Sequence, residues 1–285
     1  MTDTVLELTE RIQQLYAAAA EADRTEARAA FSVLRGELAA GRVRAAEPDP
    51  TAATGWRVNA WVKQGILVGF RFGDVVPFAA PDAGSPYLDK DTLPLREHSA
   101  ASRIRIVPGG SSVRDGAYLG SGVICMPPMY INIGAYVGDG SLIDSHALVG
   151  SCAQVGKRVH VSAGAQIGGV LEPVGALPVI VEDDALVGGN TGLYEGAVVK
   201  RRAVIGAGTV LTGSTPIYDL PQRRVIKPSQ GEPTVVPEGA VVVPGARAVT
   251  AGPGPEWGLS LATPVIVKYR DERTDTRTEL EAWIR

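Results

Sequence analysis

Through the middle of the chain an aliphatic side chain recurs at every sixth residue: Val107, Val113, Leu119, Ile131, Val137, Ile143, Val149, Val155, Val161 and Ile167, with Cys125 in the remaining slot. After the segment LEPVGALP the series restarts two residues out of phase at Val181 and continues through Val187, Leu193, Val199, Ile205, Leu211 and Ile217. Four residues after these positions, small or short side chains dominate, among them Ala135, Ser141, Ala147, Ala153, Ala165, Ala185, Thr191, Ala197, Ala203 and Thr209. Glycine often follows the aliphatic residue directly, as at Gly120, Gly138, Gly150, Gly156, Gly168, Gly188 and Gly206. A period of six fits neither an amphipathic helix nor strand alternation. It predicts a mainly β fold, a parallel β-helix with three hexapeptides to each turn. Each short strand points one aliphatic side chain into a narrow prism, and a small residue sits near the corner. Glycine or a polar residue takes the tight turn, where φ can be positive. Stacked coils then satisfy one another's backbone hydrogen bonds.

The flanks break the pattern. Residues 5–46 carry helical apolar spacing (Leu6, Leu8, Ile12, Leu15, Tyr16, then Phe31, Leu34, Leu38), interrupted near Ala20 to Thr25, and end before Pro48 and Pro50. Two helices are predicted there. The segment WRVNAWVKQGILVGFRF reads as a helix running into a strand, followed by a Pro/Gly/Asp-rich connector over residues 74–100. Hexads fade after Ile217, reappear at Val236 and Val242, and give way to GLSLATPVIVKYRD and a short helical tail, TELEAWIR. The expected organisation is an N-terminal helical and mixed cap over 1–103, a repeat domain over 104–250 and a small C-terminal extension over 251–285, with the flanking parts covering the open ends of the coil.

Composition narrows the function. A chain of 285 residues with 45% hydrophobic content supports a continuous core, and a net charge of −3 with both signs interspersed gives no basic field for nucleic acid or an anionic membrane. No apolar run approaches the ~20 residues of a bilayer span, and the polar N-terminus MTDTVLELTERIQ lacks the order of a signal peptide. A cytoplasmic location is the default. Cys125 and Cys152 have no zinc or redox spacing and read as reduced thiols.

Several segments together resemble the tetrahydrodipicolinate N-succinyltransferases, a branch of the hexapeptide acyltransferases. They are WVKQGILVGFRF, RIVPG at 105–109, INIGAYVGDGSLIDSHALVGSCAQVGKRVHVS at 131–162, IGGVLEP at 167–173, VIVEDD at 179–184, STPIYD at 214–219 and VIVK at 265–268. The hexad repeat is shared with many acyltransferases; GSCAQVGK and IGGVLEP in register are more specific. The resemblance implies a left-handed coil, against the usual right-handed crossover, and a homotrimer with active sites between subunits. It also implies succinyl-CoA as donor and ring-opened tetrahydrodipicolinate, L-2-amino-6-oxopimelate, as acceptor, without a metal. The close alternative is acetyl-CoA-dependent acylation of this or a related amino acid. A non-catalytic β-helix scaffold is the competitor from another class, opposed by LEPVGALP, irregular chain of the kind that flanks a cleft.

The resemblance also assigns roles. Asp144, directly after Ile143, matches the family's substrate-binding acid, placed to orient the acceptor ammonium or take its proton; its ordinary alternative is a turn residue bonded to nearby amides. Arg105 matches an arginine that contacts a substrate carboxylate, for which a planar guanidinium is suited. Ser151, Gly168 and Gly169 are candidates to donate hydroxyl or backbone N–H groups to the thioester oxygen or the succinyl carboxylate, and Lys268 in VIVK to meet a CoA phosphate. The departure lies in LVGGNTGLYEG. Better-known members carry a proposed catalytic glutamate three residues before the position of Glu195, where this chain has Gly192. Glu195 is the nearest acid and the candidate replacement. Another branch of the family has a similar GGN…YEG segment. Hexad counting puts Asp144 and Glu195 at different corners of the prism, so the two meet only across a subunit boundary.

The remaining candidates are weaker. His160 could act as a base at neutral pH, but it precedes an inward valine. With His98 outside the repeat, His146 and His160 do not supply a three-histidine metal site. Cys152 reads as a packing residue, and Lys200, Arg201 and Arg202 as solvated surface cations.

Overall fold

The computed structural model describes residues 3–78, 87–228 and 233–271. Two-residue strands run through three parallel sheets in rotation. The first contains Tyr118–Leu119, Tyr136–Val137, Gln154–Val155, Ile180–Val181, Val198–Val199 and Val235–Val236. The second runs from Arg105–Ile106 through Ile124–Cys125, Leu142–Ile143, His160–Val161, Leu186–Val187 and Val204–Ile205. The third contains Ser112–Val113, Tyr130–Ile131, Leu148–Val149, Gln166–Ile167, Gly192–Leu193 and Val210–Leu211. Within the regular coils a strand pairs with the equivalent strand eighteen residues later, as Tyr136 with Gln154 and Leu142 with His160, an arrangement consistent with a parallel β-helix. The second residue of each pair points inward. Val137, Ile143, Val149, Val155, Val161, Ile167, Val181, Val187 and Leu193 are all fully or almost fully buried in one core.

Three sequence expectations change. Val107 is not the inward residue of its strand: Ile106 pairs with Cys125, so the Val107 slot is one residue out. The turn through Gly109 and Gly110, both at positive φ, absorbs the extra residue. The glycines directly after the aliphatic positions are not the left-handed ones. Positive φ falls two residues later, at Gly122, Gly134, Gly140, Gly164 and Gly208 and at the non-glycine residues His146, Cys152, Arg158, Asp184, Asn190 and Arg202. Glycine is instead required after the aliphatic residue by close stacking; a Cβ on Gly138 would lie 2.7 Å from the Gly156 carbonyl carbon and 2.8 Å from the Lys157 nitrogen. Finally, WRVNAWVKQGILVGFRF begins as a strand, Trp56–Val58, and then forms a helix to its end. The strand Val75–Phe78 follows, paired with Tyr87–Lys90.

The N-terminal part is built from α1 (Asp3–Ala17), α2 (Arg24–Ala39) and α3 (Ala60–Phe72). The Asp23 side chain caps α2 by accepting from the Glu26 amide (2.7 Å). Gly65 and Gly69, one turn apart on α3, let it lie close against its neighbours: a Cβ on Gly69 would sit 2.5–2.6 Å from the Phe31 ring. This helical core continues onto the coil through Ile133 and Cys152. Nearby, the hairpin of Ala46–Pro48 and Trp56–Val58 is fastened to the first sheet. The Arg44 guanidinium lies 3.7 Å from the Tyr136 ring centroid and 5.4 Å from that of Trp56. Trp56 Nε1 and Lys200 Nζ both donate to Glu182 Oε1 at 2.8 Å, so Lys200 is an internal fastening rather than a free surface cation.

Two excursions leave the coil. Gln154 pairs with Ile180, not with the residue eighteen further on, so the segment around LEPVGALP is extra chain projecting from one coil. After Val210–Leu211 the chain makes Ile217–Asp219 and Arg224–Ile226 before rejoining the first sheet at Val235–Val236. The long antiparallel pair Ala240–Ala248 and Ser260–Tyr269 then extends the second sheet. The tail TELEAWIR lies outside the described residues. Among the described residues, no helix is long and apolar enough to cross a membrane.

Candidate functional site

The first excursion borders an open cleft of about 480 Å³ at the third sheet, lined by Gly168, Gly169, Val170, Glu172, Pro173, Ala176, Tyr194 and Glu195. A second cavity, of about 510 Å³, shares Ala176 and Glu195 and reaches the Trp56–Val58 strand, with Thr54, Trp56, Gly196, Gly213 and Pro233 among its lining. Three of the sequence candidates, Gly168, Gly169 and Glu195, therefore meet in one place, and LEPVGALP does flank a cleft.

The coil stack explains the local chemistry. Gly150, Gly168 and Gly169 pack backbone against backbone: a Cβ on Gly169 would lie 2.6 Å from the Ser151 nitrogen. Ser151 thus borders the glycine pair, and its carbonyl accepts from the Val170 amide at 3.2 Å. The Gly168 N–H is already given to the Leu193 carbonyl (2.8 Å), so Gly168 contributes lack of bulk rather than a donor. Tyr194 lies over two glycines. A Cβ on Gly192 would fall 2.9 Å from its ring carbon Cζ and its hydroxyl, and one on Gly168 would fall 2.9 Å from Cδ1. The space above Gly192 is filled by the Tyr194 ring.

Glu195 has φ 52, followed by Gly196 at φ 76. A non-glycine residue in the left-handed region is disfavoured by about 1–2 kcal/mol. The carboxylate recovers part of this by accepting the Gly213 amide one coil away (Oε2, 2.8 Å). That bond holds Glu195 at the junction of the two cavities.

The other candidates lie elsewhere. Asp144 follows a second-sheet strand and Glu195 a third-sheet strand, so they occupy different corners, as hexad counting indicates. Asp144 Oδ1 accepts the Ser145 amide at 2.7 Å, and Oδ2 lies 3.8 Å from His160 Nε2, with the two side chains 29% and 22% exposed. This acid and histidine stand together on the outer surface of the second sheet. Arg105 is on the same sheet, in the ladder Arg105, Ile124, Leu142, His160, about 14 Å from His160 at three strand spacings. Lys268 is on the Ser260–Tyr269 strand with Nζ 3.2 Å from Asp271, outside the cavity lining. Cys125 and Cys152 are buried, and burial pushes both thiols up to about 12, which suits packing and not nucleophilic attack. Among the described residues, no group of three or more His, Cys, Asp or Glu is arranged to hold a metal ion.

Sequence reasoning did not single out Tyr194, Glu172 or Ala176. Glu172 and Ala176 are signalled only as part of LEPVGALP and Tyr194 only as part of LVGGNTGLYEG, because their approach to the glycines requires the coil to be stacked.

Comparison with known proteins agrees with this architecture. The family profile described as tetrahydrodipicolinate N-succinyltransferase N-terminal matches residues 7–72, and the hexapeptide repeat of succinyl-transferase matches 178–213. The 2,3,4,5-tetrahydropyridine-2,6-dicarboxylate N-succinyltransferase of Afipia carboxidovorans is 37% identical over 270 residues, covering 93% of this chain and 92% of the relative. The protein of that name from Nitrobacter winogradskyi is 40% identical over 273 residues, again 93% and 92%. The one from Xylella fastidiosa strain Temecula1 is 40% identical over 252 residues, 87% and 85%. With this identity over nearly its whole length, the chain belongs to the tetrahydrodipicolinate N-succinyltransferase family.

Proposed function

We propose that the chain transfers a succinyl group from succinyl-CoA to the amine of ring-opened tetrahydrodipicolinate, in the lysine and diaminopimelate branch of biosynthesis. The observation that carries this reading is the cavity in which the IGG segment and Glu195 meet beneath the excursion, in a chain so similar to relatives bearing that name. The amine nitrogen attacks the thioester carbonyl carbon, a C–N bond forms, and nitrogen loses a proton to a carboxylate. The tetrahedral oxyanion then collapses, the C–S bond breaks, and the proton held on the carboxylate passes to the departing sulfur, so that CoA leaves as its thiol and the carboxylate is regenerated. Asp144 is the candidate to orient the ammonium and take its proton, with Glu195 as the second acid. Arg105 is assigned to a substrate carboxylate, Ser151 and Gly169 to the acyl group, and Lys268 to CoA. The Asp144 and Glu195 corners are distinct, which supports a homotrimer whose active sites lie between subunits. A left-handed coil and a cytoplasmic enzyme belong to the same reading.

Initial rates with succinyl-CoA and acetyl-CoA on L-2-amino-6-oxopimelate test it. The expected result is a kcat/KM at least about tenfold higher for succinyl-CoA. Equal or greater acetyl turnover overturns the donor assignment. Absence of turnover with both, together with no thermal shift from CoA or a dicarboxylate, overturns catalysis in favour of a scaffold.

A further inference from the structure

Lys63 has no exposed surface. It lies on α3 among Trp61, Val62 and Ile66, where an aliphatic side chain would satisfy packing, and burying an ammonium is costly unless it is hydrogen-bonded. Its Nζ donates to the Ala176 carbonyl at 2.5 Å. Ala176 belongs to the excursion and lines both cavities beside Glu195. A loop carbonyl without a strand partner needs a donor from elsewhere, and Lys63 supplies it from the helical part. At the other end of the excursion, Leu171 packs against the same helical core. The roof of the site is thus tied to the N-terminal helices at two points, one polar and one apolar.

We propose that Lys63 is a positioning residue that sets the height of the excursion over the candidate site, so that the N-terminal helices determine how well the cavity holds its acyl donor. The assay rests on the acyl-transfer reading; the anchoring does not. Lys63→Met keeps the length and removes the donor. Hydrogen exchange across residues 170–177 is expected to quicken about tenfold or more while the coil strands stay protected. KM for succinyl-CoA rises about tenfold with a smaller change in kcat, and Tm holds or rises because a buried charge is gone. Unchanged exchange across 170–177 overturns the anchoring. Faster exchange with an unchanged KM overturns the positioning role, and a parallel fall in Tm, coil protection and activity shows a merely structural one. If Lys63→Met does not fold, Lys63→Gln, shorter but polar, is judged by the same readings. Wild-type turnover is measured first: its absence overturns the acyl-transfer reading, while exchange across 170–177 still decides whether Lys63 anchors the loop.

Discussion

Gly138 and Gly208 are both coil glycines, but a methyl group meets a different obstacle at each. At Gly138 it would press on the backbone of Gly156 and Lys157, which the coil stack holds in place. At Gly208 nothing lies within 4 Å, and the cost is only that of φ +74. Gly138→Ala should therefore lower stability by about 3 kcal/mol or more and Gly208→Ala by about 1–2 kcal/mol, measured by denaturant unfolding; equal losses would show that the stack yields. The hexad pattern by itself does not separate these jobs, because one is local and the other depends on the coil above. Gly192 has the same character. The sequence shows that a carboxylate is missing there, but only stacking shows that the Tyr194 ring fills the space, and that a side chain restored at Gly192 would have to displace it.

Between elements, the Arg28–Asp91 pair joins α2 to the chain that enters the coil. Arg28 donates to both Asp91 oxygens (3.1 and 2.6 Å) and to the Phe72 carbonyl, and the Asp74 amide donates to Asp91 Oδ1. Chiefly through the Arg28 hydrogen bond, the Asp91 carboxyl is held down at about 2. A carboxyl lowered in the fold from its free value of about 4 stabilises the protein above that value and loses its contribution as pH falls through about 2. The expected outcome is a Tm that falls between these pH values in the wild type and falls less steeply in Asp91→Asn; identical slopes would show that other carboxyls dominate acid unfolding. The elements themselves were legible to different degrees. The inward residues of the coil follow from their period, because every hexad repeats the same environment. Val107 is misplaced by one because its coil carries an extra residue in the Gly109–Gly110 turn. The Trp56–Val58 strand was hidden because its pairing partner, Ala46–Pro48, ends at a proline that reads as a break.

Across the whole molecule, the cavity gathers Gly168, Gly169 and Glu195, while Asp144, His160 and Arg105 stand on another face. On the proposed mechanism these two places are half-sites, each with an acid, because an amine acyltransferase needs its donor and its proton acceptor in contact. In the proposed trimer, three coils packed side by side around a common three-fold axis would bring the Asp144 corner of one protomer to the Glu195 corner of the next, and this arrangement makes a sharp prediction. Asp144→Asn and Glu195→Gln, each assembled alone, should lose about 100-fold or more in kcat. When the two variants are unfolded, mixed in equal amounts and refolded together, an interface regains both acids when the Glu195-contributing protomer carries Asp144→Asn and the Asp144-contributing protomer carries Glu195→Gln. Random assembly restores about a quarter of the interfaces, so about a quarter of wild-type turnover should return. Acids acting within one chain would give no recovery on mixing. A Glu195→Gln variant with near-wild-type kcat would show instead that its bond to the Gly213 amide is the whole of its role.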